Sequence, residues 1–132
     1  MLPPEKVPAV LDAAPDAIIV IDKGGTVVFA NRQVSALFGY APAELVGVNI
    51  DSLLPERLRG AHLAHRERYG AHARVRPMGI GLDLLARRRD GSEFPVEIGL
   101  GPIGADADLL IAAAIRDVTE RRQAQAELQQ AR

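Results

Sequence analysis

The sequence predicts an α+β fold, in which a five-stranded antiparallel sheet packs with short helices, and three observations carry this prediction. Residues 82–103 alternate in polarity on either side of a tight turn with Asp90 and Gly91 at its tip, which is typical of a hairpin. A continuous apolar run over residues 17–21, turn residues at 23–25 and a β-branched and aromatic run over residues 26–30 predict a second hairpin. Residues 109–115 add a last apolar strand, and helix start and stop signals fill the segment between the hairpins. A sheet with one buried face accounts for the alternation.

The composition indicates one soluble domain. Of the 132 residues 48% are hydrophobic and 25% are charged, and the 16 basic and 17 acidic side chains nearly cancel. We therefore expect no nucleic acid partner and no direct membrane contact. No apolar run reaches the roughly 18 residues that span a bilayer, which favours a cytoplasmic domain, either free or part of a membrane-anchored sensor. Cysteine is absent, which excludes disulfides and cysteine-linked cofactors.

The first element is a short amphipathic helix within residues 1–14, which we expect to form an N-terminal cap. Val7, Val10, Leu11 and Ala14 recur at helical spacing, and Pro15 ends the helix.

Short elements follow the first hairpin. Asn31 is predicted to stop the second strand and to cap a helix that ends at Gly39. Residues 42–45 form one helical turn closed by Gly47, and residues 51–55 form another.

A longer helix is predicted over residues 56–69. Leu58, His62, His65 and Tyr69 lie within about 60° of one another on this helix, so both histidines share a face with a leucine and a tyrosine. Residues 70–81 form a loop that leads into the central hairpin.

The last strand has two apolar faces, with Leu110 and Ala112 on the outer one, so it is expected at the centre of the sheet with its outer face covered. The segment from Asp117 through Thr119 to Glu120 resembles a capping box with Asp in the place of Ser or Thr. It predicts a helix that begins there and continues to the end of the sequence. The narrow apolar stripe of that helix indicates either a coiled-coil seam or a frayed end.

The ordered motifs of residues 8–121 resemble those of the PAS sensory domains. The matching segments are Ile21-Asp22 with Gly25, Phe29-Ala30-Asn31, Leu37-Phe38-Gly39-Tyr40, Glu44-Leu45-Val46-Gly47, Leu54-Pro55-Glu56, Arg88 with Asp90-Gly91, Phe94-Pro95-Val96 and Arg116 to Arg121. The resemblance implies the strand order 2-1-5-4-3, a PAS domain over residues 15–118, and a signalling helix from residue 119. It also implies a sensory module, upstream of a histidine kinase, a diguanylate cyclase or another output domain, with Asp117, Thr119 and Glu120 at the junction that transmits the signal.

We expect no catalysis within these residues, because no nucleophile elbow, phosphate loop or kinase ATP site is present. We expect no metal site either, since no carboxylate is well placed beside the pair His62 and His65. A homodimer is predicted, because the apolar face of the first helix (Val7, Val10 and Leu11) and the outer strand face (Leu110 and Ala112) both need a partner.

The resemblance leaves the ligand open. His62 takes the place of the haem-binding histidine of oxygen-sensing PAS domains of the rhizobial type, and the tentative pocket comprises Leu58, His62, His65, Tyr69 and Leu82. Leu82 replaces an arginine that contacts oxygen in those sensors, which weakens the case for oxygen more than the case for haem. The alternatives are structural histidines that hydrogen-bond loop backbone, and a ligand-free dimerisation module. Cysteinyl-flavin chemistry is excluded.

Overall fold

The computed structural model describes residues 6–60, 84–104 and 106–130, and it contains one five-stranded antiparallel sheet. The strand order is β2-β1-β5-β4-β3, as the family resemblance implied. The last strand therefore lies at the centre, paired with β1 on one side and β4 on the other. The strands are β1 (Ala17–Asp22), β2 (Val27–Ala30), β3 (Leu84–Arg87), β4 (Glu93–Ile103) and β5 (Leu110–Asp117).

Short helices surround the sheet, and most follow the sequence prediction. Gly39 and Gly47 end two of them with φ of +85° and +89°, a conformation that glycine adopts without steric cost. The predicted helix over residues 56–69 lies mostly outside the described residues, and its first part is a 3₁₀ turn. The α-helices are α1 (Val7–Ala13), α2 (Gln33–Phe38), α3 (Pro42–Leu45) and the C-terminal helix (Thr119–Gln130), and 3₁₀ turns cover Ile50–Leu53, Glu56–Leu58 and Asp106–Asp108.

The core lies between the inner face of the sheet and α2 and α3. Phe38 of α2 meets Phe94 of β4 edge to face, with ring centroids 5.6 Å apart. The predicted alternation along β4 is confirmed, since Phe94 and Val96 are buried while Ile98 and Leu100 pack against the same cluster. The inner face of the sheet is therefore a continuous apolar wall.

The β3–β4 turn is one residue longer than the two-residue loop predicted with Asp90 and Gly91 at its tip. The Arg88 N–H donates to the Ser92 carbonyl, and the Gly91 N–H donates to the Arg88 carbonyl. This is the three-residue loop in which glycine takes positive φ, here +89° at Gly91. The Asp90 carboxylate accepts hydrogen bonds from both the N–H and the hydroxyl of Ser92, which favours the longer loop.

Asn31 does not cap α2, so that prediction is wrong. Its side chain is fully buried and faces the opposite way, where the amide oxygen accepts the N–H of Ile18 and the amide nitrogen donates to the carbonyls of Leu11 and Asp16. A buried amide needs such partners, and the end of α1 supplies them. Asn31 thus fastens α1 to the sheet.

Candidate functional site

The predicted pocket can be described only in part. His62, His65, Tyr69 and Leu82 lie outside the described residues, whereas Leu58 is half-buried in the 3₁₀ turn Glu56–Leu58. On the sheet, Leu84, Ile98 and Leu100 are partly buried against the core. These three side chains form an apolar wall.

The junction between sheet and C-terminal helix is fully described. The carboxylate of Asp117 accepts the Thr119 N–H at 2.8 Å and the Thr119 hydroxyl at 2.5 Å, which fixes the first turn of the helix. The bond reaches two residues ahead, so it is an Asx-type turn and not the capping box predicted with Glu120, which is exposed. The Val118 N–H donates to the Pro95 carbonyl at 3.1 Å, and the Val118 side chain is buried. The start of the helix is therefore tied to β4.

Arg88 links this junction to the core. Its guanidinium donates to the second oxygen of Asp117 at 3.1 Å and lies 3.9 Å from the ring centroid of Phe94. This is a cation–π contact to a core residue, on a side chain that is 32% exposed. Because Phe94 also contacts Phe38, one chain of contacts runs from α2 through β4 and Arg88 to the C-terminal helix.

The neighbouring Arg89 contacts α2, α3 and the segment between these two helices. Its N–H donates to the Phe38 carbonyl at 2.8 Å, its guanidinium contacts Glu44 at 2.7 Å, and it lies over the ring of Tyr40. Glu44 also accepts the Ala41 N–H at 2.9 Å. That backbone hydrogen bond, together with Arg89, lowers the pKa of Glu44. Two successive arginines thus connect the β3–β4 turn to the helices on one side and to the C-terminal helix on the other.

This role of Arg88 and Arg89 was not identified from the sequence. The guanidinium groups of Arg88 and Arg89 remain partly exposed but make specific contacts. Their position beside Asp90 and Gly91 was the available signal, because successive residues at a strand end point to opposite sides.

The β3–β4 turn is also held by an ion pair between Arg57 and Glu93. Both oxygens of Glu93 accept hydrogen bonds from Arg57, at 2.7 and 2.8 Å. The bidentate contact lowers the pKa of Glu93 and raises that of Arg57. Residue 57 directly precedes the helix face predicted to carry the pocket, so the turn is fastened to that segment as well.

The C-terminal helix itself has no buried residue over its described length. Arg121 forms an ion pair with Glu97 of β4, which lowers the pKa of Glu97. Leu128 is 65% exposed. The helix therefore extends from the sheet with Leu128 exposed to solvent.

The residues predicted for dimerisation are described apart from the side chain of Val7. Val10 is 51% exposed, and Leu11 is half-buried with its carbonyl bound by Asn31. Leu110 and Ala112 lie half-buried on the outer face of β5.

The described ranges contain neither a cluster of metal ligands nor a membrane-spanning helix. Within residues 6–60, 84–104 and 106–130, no three His, Cys, Asp or Glu side chains are placed to share a metal ion. In the same ranges no helix combines the length and apolarity needed to cross a bilayer.

Comparison with known proteins identifies the family. A family model described as PAS domain matches residues 15–120. The sensor protein FixL of Bradyrhizobium diazoefficiens is 34% identical over 122 residues, which cover 92% of this chain and 24% of that protein. The oxygen sensor protein DosP of Escherichia coli is 32% identical over 103 residues, which cover 76% of this chain and 13% of that protein. The chain thus spans a quarter or less of the length of these relatives.

A solved structure supports the same assignment. The crystal structure of the PAS domain of an HTR-like protein from Haloarcula marismortui superposes with a TM-score of 0.68 at 25% identity, covering 86% of this chain and 89% of that one. With the matching family model and the sheet order described above, the conclusion is that this chain belongs to the PAS domain family and is similar to the PAS domains of sensor proteins.

Proposed function

We propose that this PAS domain senses a change at the inner face of its sheet and reports it to the C-terminal helix through Arg88 and Asp117. The observation that carries this proposal is the double contact of Arg88, with the ring of Phe94 on one side and the carboxylate of Asp117 on the other. A shift of Phe94 changes the position of the guanidinium, and Asp117 holds the first turn of the helix. Thr119 and Glu120 begin the segment that carries the signal away.

The expected receiver is an output domain covalently linked beyond residue 132, a histidine kinase by the family resemblance and a diguanylate cyclase as the second choice. The coverage of the relatives supports a linked output domain, because the match takes up only 24% and 13% of their lengths.

Amide NMR tests the Arg88 route. We expect Arg88→Gln to raise hydrogen exchange at residues 118–122 about two- to fivefold, the range for loss of a partly exposed ion pair. Arg87→Gln is the matched control, since it makes the same chemical change at the adjacent position, one residue before the arginine that contacts Asp117. Equal exchange at residues 118–122 in the parent and in Arg88→Gln would contradict the route.

We propose further that the domain forms a homodimer through α1 and the outer face of the sheet. In one copy Ile18, Ala112 and Ala114 are half-buried on this face, whereas Val20, which pairs with Ala112, is buried. The exposed Val10 of α1 offers an apolar contact that a second copy can cover. Sedimentation of the chain at high micromolar concentration tests the proposal, which a monomer would contradict.

A haem-bound redox or gas sensor is the second candidate, with His62 as axial ligand. It is favoured by the similarity to a protein named as an oxygen sensor, and the partly buried residues Leu84, Ile98 and Leu100 are of the apolar kind that would hold a haem. Haem would supply redox and gas-binding chemistry. Because Leu82 offers no polar contact, carbon monoxide or redox state is a better signal than oxygen.

Absorption spectra separate the candidates. If haem binds, the reconstituted protein shows a Soret band that His62→Ala abolishes and His65→Ala largely preserves. A band of the same weak intensity in all three proteins contradicts haem binding and leaves another ligand or a ligand-free dimerisation module. In that case the histidines pack as structural residues.

A further inference from the structure

A row of four charges crosses the outer face of the sheet, and neither the pocket nor the Arg88 contact involves it. Asp16, Arg116, Glu97 and Arg121 alternate in sign along this row, which we name the outer charge row. Asp16 belongs to the linker after α1, Arg116 to β5, Glu97 to β4 and Arg121 to the C-terminal helix. The row thus begins beside the N-terminal helix and ends on the C-terminal one.

Strand register places these groups side by side. Ala17 pairs with Ile115, so Asp16 and Arg116 are the next opposed residues, and Arg116 in turn pairs with Glu97. The first ion pair is bidentate, with Arg116 Nε and Nη2 at 3.0 and 3.1 Å from the two Asp16 oxygens. The last is the ion pair between Arg121 and Glu97. The two carboxylates are about 20% exposed, and both arginines are half-exposed.

Electrostatic interaction links the two ion pairs. The Asp16 carboxylate raises the pKa of Arg116, and Glu97 adds to this effect. Three cations lower the pKa of the Glu97 carboxylate. Arg121 has the largest effect, followed by Arg116 and Arg122. Arg116 and Glu97 therefore couple the pair at the N-terminal linker to the pair at the C-terminal helix.

The position of α1 is fixed at the start of the row. Asn31 binds the carbonyls of Leu11 and Asp16, and the carboxylate of Asp12 accepts the Arg32 N–H at 2.8 Å. A displacement of α1 consequently moves residue 16 with it.

From this geometry we propose that the domain has a second input: displacement of α1 reaches the C-terminal helix along the outer charge row, independently of the interior. At the end of β5 the two routes lie on consecutive residues, Arg116 facing the N-terminal linker and Asp117 facing Arg88. The inference rests on the proposed role of the C-terminal helix as the signal output, but it does not require the Arg88 route. A domain of this kind combines a signal from a preceding segment with a signal from its own ligand.

Amide exchange in the whole chain tests the proposal. We expect Asp16→Asn to raise exchange at residues 119–122 about two- to fivefold, although residue 16 has no direct contact with that helix among the described interactions. The double variant Asp16→Asn with Glu97→Gln should add less than the sum of the single effects, since both act on one row. About 1 M salt, with a screening length near 3 Å, should remove the effect of Asp16→Asn.

Arg57→Gln is the matched control, because it breaks a bidentate arginine–carboxylate pair of the same kind at the start of β4, outside the outer charge row. Changes confined to residues 14–18 and 116 in Asp16→Asn, or an equal effect of Arg57→Gln on residues 119–122, would overturn the proposal. Arg88→Gln separates the two routes: if it leaves the helix unchanged while Asp16→Asn does not, the interior route fails and the outer charge row stands.

Discussion

The buried side chain of Asn31 connects three segments of the chain. Its amide joins the end of α1, the linker and β1 through three hydrogen bonds of 2.8 to 3.0 Å. Replacing it removes a hydrogen bond from the Ile18 N–H and from the carbonyls of Asp16 and Leu11, of which Leu11 keeps the Ala14 N–H, and unpaired polar groups are costly where water is excluded.

Asn31→Ala should therefore lower the free energy of unfolding by about 2 to 4 kcal/mol, more than one lost hydrogen bond would. Asn49→Ala is the control, because Asn49 is also an asparagine that binds backbone but is exposed, and its loss should cost about 1 kcal/mol. Urea unfolding of both variants checks the order. If Asn49→Ala is the more damaging, the assigned role of Asn31 is wrong.

Gly91 has the positive φ that the β3–β4 turn requires. At φ of +89° a β-branched residue is strained, so Gly91→Val should destabilise the domain by about 1 to 3 kcal/mol. Gly101→Val makes the same change in β4, where a side chain meets open space and φ is not positive, and should leave the melting temperature nearly unchanged. Thermal melts that fail to separate the two variants would show that the turn is misplaced.

At the scale of elements, α3 is attached to the β3–β4 turn by a carboxylate with a lowered pKa. Glu44 ionises below its ordinary value of 4.5 because the Ala41 N–H and Arg89 bind the charged form. A carboxylate of lowered pKa stabilises the fold fully above its ordinary pKa, and this contribution disappears as the pH falls through the lowered value.

Glu44→Gln should consequently melt at a lower temperature than the parent at pH 7, and the difference should shrink as the pH falls below 4.5. Gln keeps an oxygen for the Ala41 N–H, so the variant isolates the charge. Glu127→Gln, on the exposed C-terminal helix, controls for the loss of one negative charge. A difference that does not change with pH below 4.5 would exclude the pairing.

Much of the element pattern was predictable from the sequence, because strand alternation and glycine stop signals are local. Phe94 and Val96 are buried as their spacing indicated, and Gly39 and Gly47 end helices where predicted. The role of Asn31 was not predictable in this way, since its partner Leu11 lies 20 residues earlier in the chain. Local propensity favours the cap, and tertiary contacts override it.

The residues of the candidate site were likewise predictable only where the sequence signal is local. Asp117 and Thr119 were predicted from the motif that follows the last strand, and they do form the start of the C-terminal helix. Arg88 was not identified, because its partners Phe94 and Asp117 are brought together by the pairing of β4 with β5. A contact between side chains 29 residues apart leaves no periodic signal in the sequence.

At the scale of the whole molecule, the proposed dimer can be tested with charges placed on matched surfaces. Val10 and Val46 are equally exposed, at 51%, but only Val10 belongs to the proposed interface. Val10→Asp should weaken dimerisation about tenfold or more, as expected for an unpaired charge at an apolar contact, whereas Val46→Asp should leave it unchanged. Sedimentation across a concentration series measures both, and equal behaviour of the two variants would place the interface elsewhere.

The central position of β5 also governs how the chain can fold. Strands β1 and β2 form one hairpin and β3 and β4 another, and in the described sheet these hairpins are joined only through β5. The inner edge of each hairpin therefore stays open until residues 110–117 have been synthesised and have inserted between them. Closure depends on non-local pairing, which is slow, and open strand edges can pair with other chains in the meantime. During synthesis the domain is thus most exposed to aggregation just before its last strand leaves the ribosome.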